Sequence, residues 1–416
     1  MMTEMSLYED LFANTMSGTV TIIDTLNMIG ELPIVGQELL TVAYHTPTSE
    51  KKVNKTFKVM KISEKTVEGN RQIYKITFIS LDAFVDLCYT ENRGIADFPH
   101  NIVSNIYNAM WKWHSAVTGK VFQTNKLVIG DGTPNTPTPT NKLKIVSPQW
   151  SPFECISWIT KKALNTKSGA DYVFFESNQA LHFMSYTDHL KKGPVVDYFM
   201  FDQTASVNSE GKPDIQRMYR KIHDLRYTTV SDQMTQLLNK AYGQKTYGHN
   251  LLSKTIQIRT VKKEDVLSGG VGVDFLTTKP LVDKSEVVWQ MADDAYTGVA
   301  NVYPYLHDEV TVDKQTAIDA TRLPGLGHYE YQKVDIDVWG RSDMKVGDLV
   351  WIFLGNYSSM KDAILAGDDK KTSGPYLITA IHHRLAPSQH KMTMECIRDS
   401  VPVSYTHLRA HETRED

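Results

Sequence analysis

Two stretches at opposite ends of the chain carry the same order of strand signals. Near the N-terminus, Val35-Gly36 opens a strand-forming run at residues 38–44, and runs at residues 56–62 and 72–79 come next. Near the other end, Val346-Gly347 opens a run at residues 348–352, and runs at residues 376–381 and 391–399 come next. Each run is short and rich in β-branched and aromatic residues, which fit a pleated, half-buried surface. Strict alternation puts Tyr74, Ile76 and Phe78 on one face and Lys75 and Thr77 on the other, as an antiparallel strand with one wet face requires. A turn glycine and then three strands, twice, points to two similar antiparallel β-barrels. Two similar barrels in one chain allow three copies to build a ring with quasi-six-fold symmetry.

Other elements fill the space between the repeats. Residues 1–15 read as an N-terminal arm, and residues 16–125 as the first barrel with a following helix, where Ile102, Ile106 and Met110 recur at helical spacing. Residues 126–141, dense in proline and threonine, read as a linker or long loop. Residues 142–205 read as an α+β domain, a helix on a small sheet. Its helix starts at Ser151-Pro152-Phe153-Glu154, with a hydroxyl at the N-cap, proline at the first turn and a carboxylate three residues on. Ile156, Ile159 and Ala163 form its apolar face, residues 165–169 end it, and a hairpin comes after it with its turn at Ser177-Asn178-Gln179. Residues 206–265 and 324–401 supply the second barrel, interrupted by an inserted domain or long loop at residues 266–323. The expected class is therefore mainly β with α+β parts.

Length and charge narrow the function. The 416 residues suffice for two to four domains. The formal charge of −3, from 45 basic and 48 acidic side chains, lacks the concentrated basic surface of a dedicated nucleic-acid binder. Cys88, Cys155 and Cys396 are odd in number and far apart, which suits neither a disulfide framework nor a zinc site and fits a reducing compartment. No apolar run reaches the ~20 residues of a membrane span, and the N-terminus lacks the pattern of a signal peptide. Residues 402–413 match the translation of a transposon-type sequencing adapter in one frame, so residues 402–416 are expected to be adapter-derived, and His407 and His411 are kept out of any site.

Catalytic constellations are sparse. The chain has no phosphate-loop motif G-x-x-x-x-G-K-[ST], no H-E-x-x-H, no G-x-S-x-G and no C-x-x-C. Gly269-Gly270-Val271-Gly272 reads as flexible loop. His382 and His383 are neighbours in a strand and point to opposite faces, so they do not chelate one ion together. His182 and His189, near Asp188, lack the spacing of a metal site. His307-Asp308-Glu309 reads as a solvated loop, and Glu154 is accounted for by its capping position. No catalytic, cofactor-binding or metal-binding residue is assigned, and no cofactor is expected.

The run 147–154 with its helix, then Asp171 to Glu176 and Phe183-Met184-Ser185-Tyr186, resembles the second domain of the central baseplate hub protein of contractile-tailed, T-even-like bacteriophages. The twin barrels and the chain length extend the resemblance over residues 16–401. It implies a structural, non-enzymatic virion protein assembled in the bacterial cytoplasm. It further implies a homotrimeric hub whose tail-tube-like barrels join a hexameric tail tube to a trimeric cell-puncturing spike. Baseplate wedge proteins would be further partners, and genomic DNA would pass through the lumen; no membrane insertion is implied. A tail component of the non-contractile or pyocin-like type is a variant of this reading. A cell-wall hydrolase or carbohydrate-binding tail protein is the alternative from another class.

Overall fold

The structure, a computed structural model, describes residues 2–32, 34–47, 49, 51–119, 125–130, 138–164, 170–186, 193–200, 219–229, 243–250, 254–262, 301–305, 322, 332–354 and 372–398. The expected adapter tail, the glycine run at 269–272, His189, the loop at 307–309, most of the expected insertion and the expected helix end at 165–169 lie outside these residues.

The chain begins with β1 (Met2–Asp10), β2 (Ser17–Asp24), a single helical turn α1 (Met28–Glu31), β3 (Leu39–Tyr44), β4 (Val53–Glu68) and β5 (Arg71–Ser80). Next come α2 (Leu81–Cys88), β6 (Gly94–Asp97), α3 (Pro99–Thr118), β7 (Leu127–Ile129), β8 (Leu143–Val146), α4 (Pro152–Thr160), β9 (Tyr172–Glu176), β10 (Leu181–Ser185) and β11 (Val196–Phe199). The rest is strand: β12 (Ile222–Thr229), β13 (Gly243–Asn250), β14 (Thr255–Lys262), β15 (Asn301–Tyr305), β16 (Gln332–Trp339), β17 (Leu349–Phe353), β18 (Gly374–Ala386) and β19 (Gln389–Arg398). The fold is mainly β.

One large sheet runs β12-β16-β19-β18-β1-β2-β5-β4-β3, with β17 on β18 and β11 on β17. It contains the same five-strand pattern twice: β3-β4-β5-β2-β1 and β17-β18-β19-β16-β12, antiparallel throughout. Four of the six register shifts form two matching pairs; those between Ser63 and Thr66 on β4 and between Tyr227 and Thr229 on β12 stand alone. A register shift between Met2 and Glu4 on β1 matches one between Ile222 and Asp224 on β12. Another between Val59 and Lys61 on β4 matches one between Ile378 and Ala380 on β18. Beside these bulges, Val59 N–H donates to the Glu38 carbonyl at 2.9 Å and Ile378 N–H to the Asp348 carbonyl at 3.0 Å. Gly36 and Gly347 open both copies at φ 92° and 85°, a conformation that glycine adopts without steric cost. Bulges re-aim a strand at fixed positions, so their coincidence extends the repeat from three strands to five.

The copies diverge after their first strand. Residues 11–16 join β1 to β2, whereas residues 230–331 intervene between β12 and β16. The second copy also curls: β11 pairs with β17 in parallel, and Phe199 bridges Lys221 just before β12, so its strands return on themselves.

Three apolar clusters result. The first copy packs Phe57, Tyr74 and Phe78 with Met5, Leu7 and Val20; the Phe57 and Phe78 rings lie 5.0 Å apart. The second copy buries Val334, Ile336, Val350, Ile378 and Met394 together with Val173 and Phe175 of β9. Between them, α2, α3 and α4 cover one face of the β7-β10-β9 sheet through Val85, Ile106, Met110, Ile156, Ile159 and Phe183. Full burial of each such side chain contributes roughly 1.5–3 kcal/mol. Ser151 caps α4 by accepting the Glu154 N–H at 3.3 Å, with Pro152 in the first turn.

Several sequence expectations are corrected. The supposed arm is β1, which pairs with β2 on one side and β18 on the other. Its mixture of Glu4, Glu9 and Asp10 with apolar residues hid the alternation that buries Met5 and Leu7. α3, grouped by sequence with the first barrel, contributes Ile102, Ile106 and Met110 to the cluster that holds residues of α4 and β9. Within the supposed linker, Leu127–Ile129 is a strand parallel to β10. β11, placed by sequence in the α+β domain, belongs to the large sheet. β13 and β14, placed in the second barrel, pair with β15 in a separate sheet.

Candidate functional site

The concentrated polar chemistry of the described residues lies where the sheet copies and the helical unit meet. Lys55 sits on β4 in the same inward phase as Val53, Phe57 and Val59, so its stem runs into the interior. Its Nζ lies 2.6 Å from Glu176 Oε1, at the end of β9, and donates to the Ser177 carbonyl at 2.8 Å. Glu176 also accepts from Ser80 Oγ and Asn125 Nδ2, both at 2.9 Å, and from the Met16 N–H at 2.9 Å. Buried charge is tolerated when it is paired and its remaining lone pairs are filled in this way.

Asp82 extends the network to the helices. Ser80 caps α2 by accepting the Asp82 N–H, which places the Asp82 carboxylate beside Tyr107 and Trp111 of α3. The Tyr107 hydroxyl and the Trp111 indole N–H reach Asp82 Oδ1 at 2.8 and 2.9 Å, and Asn125 donates to Oδ2. Asn125 links the two carboxylates by donating to both. Burial, reinforced by the Glu176 charge, raises the Asp82 carboxyl to about 6, although the three donors oppose the shift.

A second buried chain crosses the seam between the copies. Glu9 of β1 lies 3.1 Å from His383 Nε2 of β18, and His383 Nδ1 lies 3.1 Å from His390 Nε2 of β19. Donation from His390 to His383 and from His383 to Glu9 satisfies both contacts. Burial is the main cause that depresses His390 to about 3. Glu9 Oε2 also accepts the Val346 N–H at 3.4 Å. Alongside, Thr46 and Ser342 hydroxyls meet at 3.1 Å, and Asn178 of the β9–β10 turn donates to the Met344 carbonyl at 2.9 Å. Loops of both copies and of the helical unit are therefore pinned together.

These groups are closed to solvent: Glu9, Asp82 and Glu176 are each 1% exposed and His383 is fully buried. Buried and paired in this way, they tie separate elements together as a joint. Among the described residues no three His, Cys, Asp or Glu side chains group as a metal site, and no helix is long and apolar enough to cross a membrane. His382 and His383 point to opposite faces: His383 enters the joint, and His382 stacks on Tyr8 at 4.5 Å. His182 is buried, stacks on Phe175 at 5.0 Å and lies 3.0 Å from the Ser177 hydroxyl. Cys88 is exposed, Cys155 and Cys396 are buried, and none is paired with another. Sequence reading missed Lys55, Asp82, Glu176 and Glu9. The signals present were a lysine in the inward phase of β4 and a glutamate ending an otherwise apolar run, Tyr172-Val173-Phe174-Phe175.

This fold occurs in solved structures. A tail protein from Neisseria meningitidis MC58 superposes with a TM-score of 0.53 at 9% identity, over 96% of this chain and 92% of that one. The chain shares that tail protein's fold. The 43 kDa tail protein of prophage MuSo2 from Shewanella oneidensis matches similarly, with a TM-score of 0.51 at 10% identity, over 96% of each chain. No protein-family model and no curated protein sequence matches the chain.

Proposed function

We propose that this protein is a structural component of a phage-like tail, the central hub of a baseplate, and that it works as a homotrimer without catalysing a reaction. The observation that carries the reading is the duplication: two five-strand units with the same strand order and two bulges in common, joined edge to edge through β1 and β18. Three such chains present six similar units around an axis, so a single protein meets a six-fold tube on one side and a three-fold spike on the other. In this reading each unit acts as a tail-tube-like barrel, the β7-β10-β9 sheet with its helices braces the outside, and the β13–β15 sheet is part of the insertion. Tail tube, spike and baseplate wedge proteins are the partners, and DNA passes through the lumen during infection. The buried joints at Lys55–Glu176 and Glu9–His383 suit a part that holds its shape under load.

Light scattering on the purified full chain tests the reading: a trimer at micromolar concentration is expected, and a monomer overturns it. A cell-wall hydrolase predicts a different result. Incubation with purified peptidoglycan should release no reducing sugar and no free amine; release of either overturns the non-enzymatic role.

A further inference from the structure

One buried carboxylate takes no part in either joint. Asp24 closes β2 and shares the inward face of that strand with Gly18, Val20 and Ile22. It is 2% exposed, yet it lies next to solvent, because Thr25, Leu26, Asn27 and Met28 directly after it are exposed. One of its oxygens, Oδ1, accepts the Leu26 N–H at 2.9 Å; the other, Oδ2, is buried and has no donor. Among the described residues no lysine, arginine or histidine pairs with it. A buried carboxylate with one oxygen unsatisfied is costly unless a counter-charge meets it.

The residue facing it has the same deficit. Asp24 pairs with Gln72 of β5, and both side chains lie on the inward face, where the Cβ atoms of facing residues are about 4.5–5.5 Å apart. Gln72 Nε2 donates to Asn27 Oδ1 at 2.8 Å, which leaves Gln72 Oε1 buried and without a donor. Two facing residues thus each keep a bare oxygen, and the side-chain oxygen of Asn27 lies beside them.

The second copy treats the same position differently. The bulge common to both copies pairs Val59 with Phe78 and Ile378 with Cys396, so Phe78 corresponds to Cys396. The same number of residues back along β5 and β19, Gln72 corresponds to His390. Ile22 pairs with Tyr74 as Val338 pairs with Met392, so the next inward position, Asp24, corresponds to Gly340. The Gly340 N–H donates to the His390 carbonyl at 2.8 Å, and a Cβ on Gly340 would come within 2.0 Å of the His390 ring. There an imidazole fills the space, and no carboxylate asks for a counter-charge.

We infer that Asp24 Oδ2 and Gln72 Oε1, with Asn27 Oδ1 at the rim, bind a calcium ion that ties the turn at α1 to the end of the β2–β5 pair. A donor set made only of oxygens selects a hard cation. Calcium accepts irregular geometry and neutral amide oxygens, whereas magnesium demands a near-ideal octahedron and gives up its water reluctantly. Water on the exposed side, at Thr25 to Met28, completes the shell. A single carboxylate supplies little charge, so the expected site is a weak one, with a Kd of about 10⁻⁴–10⁻³ M.

The test uses the full chain stripped with EDTA. Addition of calcium to about 10 mM should raise the thermal unfolding midpoint by about 2–4 °C, because the ion binds the folded state alone. Asp24→Asn keeps an acceptor for the Leu26 N–H and removes the charge, and calcium should leave its midpoint where it was. Gln72→Met removes one ligand at a half-buried position and should weaken the calcium titration by about tenfold or more; it carries the test should Asp24→Asn fail to fold. A wild-type midpoint that calcium does not move means that hydrogen bonds alone hold Asp24, and overturns the site. A calcium shift that persists in both variants overturns these ligands, and an equal shift with magnesium overturns the choice of ion.

Discussion

Replacing Lys55 with methionine isolates the role of the buried joint. Methionine keeps the length and much of the volume of the lysine stem and removes the charge. Lys55 Nζ lies 2.6 Å from Glu176 Oε1, and at an effective dielectric of 20 the pair attraction is about 6 kcal/mol before desolvation is counted. Most of that gross term offsets the cost of burying two ions. The loss on breaking the pair is better taken from buried pairs stripped of one partner, about 3–5 kcal/mol. Glu176 would keep its contacts to Ser80, Asn125 and the Met16 N–H, which places the expected loss near the lower end, at about 3 kcal/mol. Urea unfolding followed by circular dichroism and tryptophan fluorescence measures it. Glu176→Gln alone should cost about 1–3 kcal/mol, since the amide cannot accept every donor that now faces it. The double variant decides the matter: with no unpaired charge left, it should be about 2 kcal/mol more stable than the two single losses added together. Additivity within about 0.5 kcal/mol would refute the view that the ion pair locks the joint.

Other perturbations read out separate parts of the fold. The raised carboxyl of Asp82, about 6 against an ordinary 3.8, favours the protonated folded state, so its contribution is full below pH 3.8 and is lost as pH rises through 6. The magnitude is on the order of 3 kcal/mol; Asp82→Asn should flatten this part of the stability-versus-pH curve, and an unchanged slope between pH 4 and 7 would assign it elsewhere. Gly18→Ala should destabilise by about 1–3 kcal/mol in thermal unfolding, because a Cβ there would come within 2.6 Å of the Phe78 ring and the Ser6 carbonyl. Phe78→Ala, at a fully buried ring packed on Phe57, should cost about 3–5 kcal/mol in the same assay.

The sequence marked its strands well where alternation was clean. β5 and β16 bury every second residue, and such a pattern shows in composition alone. It was weakest where charge and burial coincide: β1 carries Glu9 inward, and a glutamate in the inward phase breaks the hydrophobic signal although the strand is central. α3 was legible as a helix, but its burial partners were not, since Ile106 and Met110 pack on residues more than forty positions away.

What the sequence by itself determined is therefore local: strand and helix identity, the capped start of α4, and a three-strand order common to the two repeats. Backbone sterics, side-chain periodicity and capping act within a few residues and leave their mark on the chain. The tertiary structure alone decided that β1 crosses to β18, that the repeat extends to β12 and β16, and that Lys55 meets Glu176. Each of these depends on which edge finds which partner across long stretches of chain, and on a charge being buried only when its counter-charge arrives from another element. No local pattern encodes that choice; it is made by the pairing of edges and the packing of the three cores together.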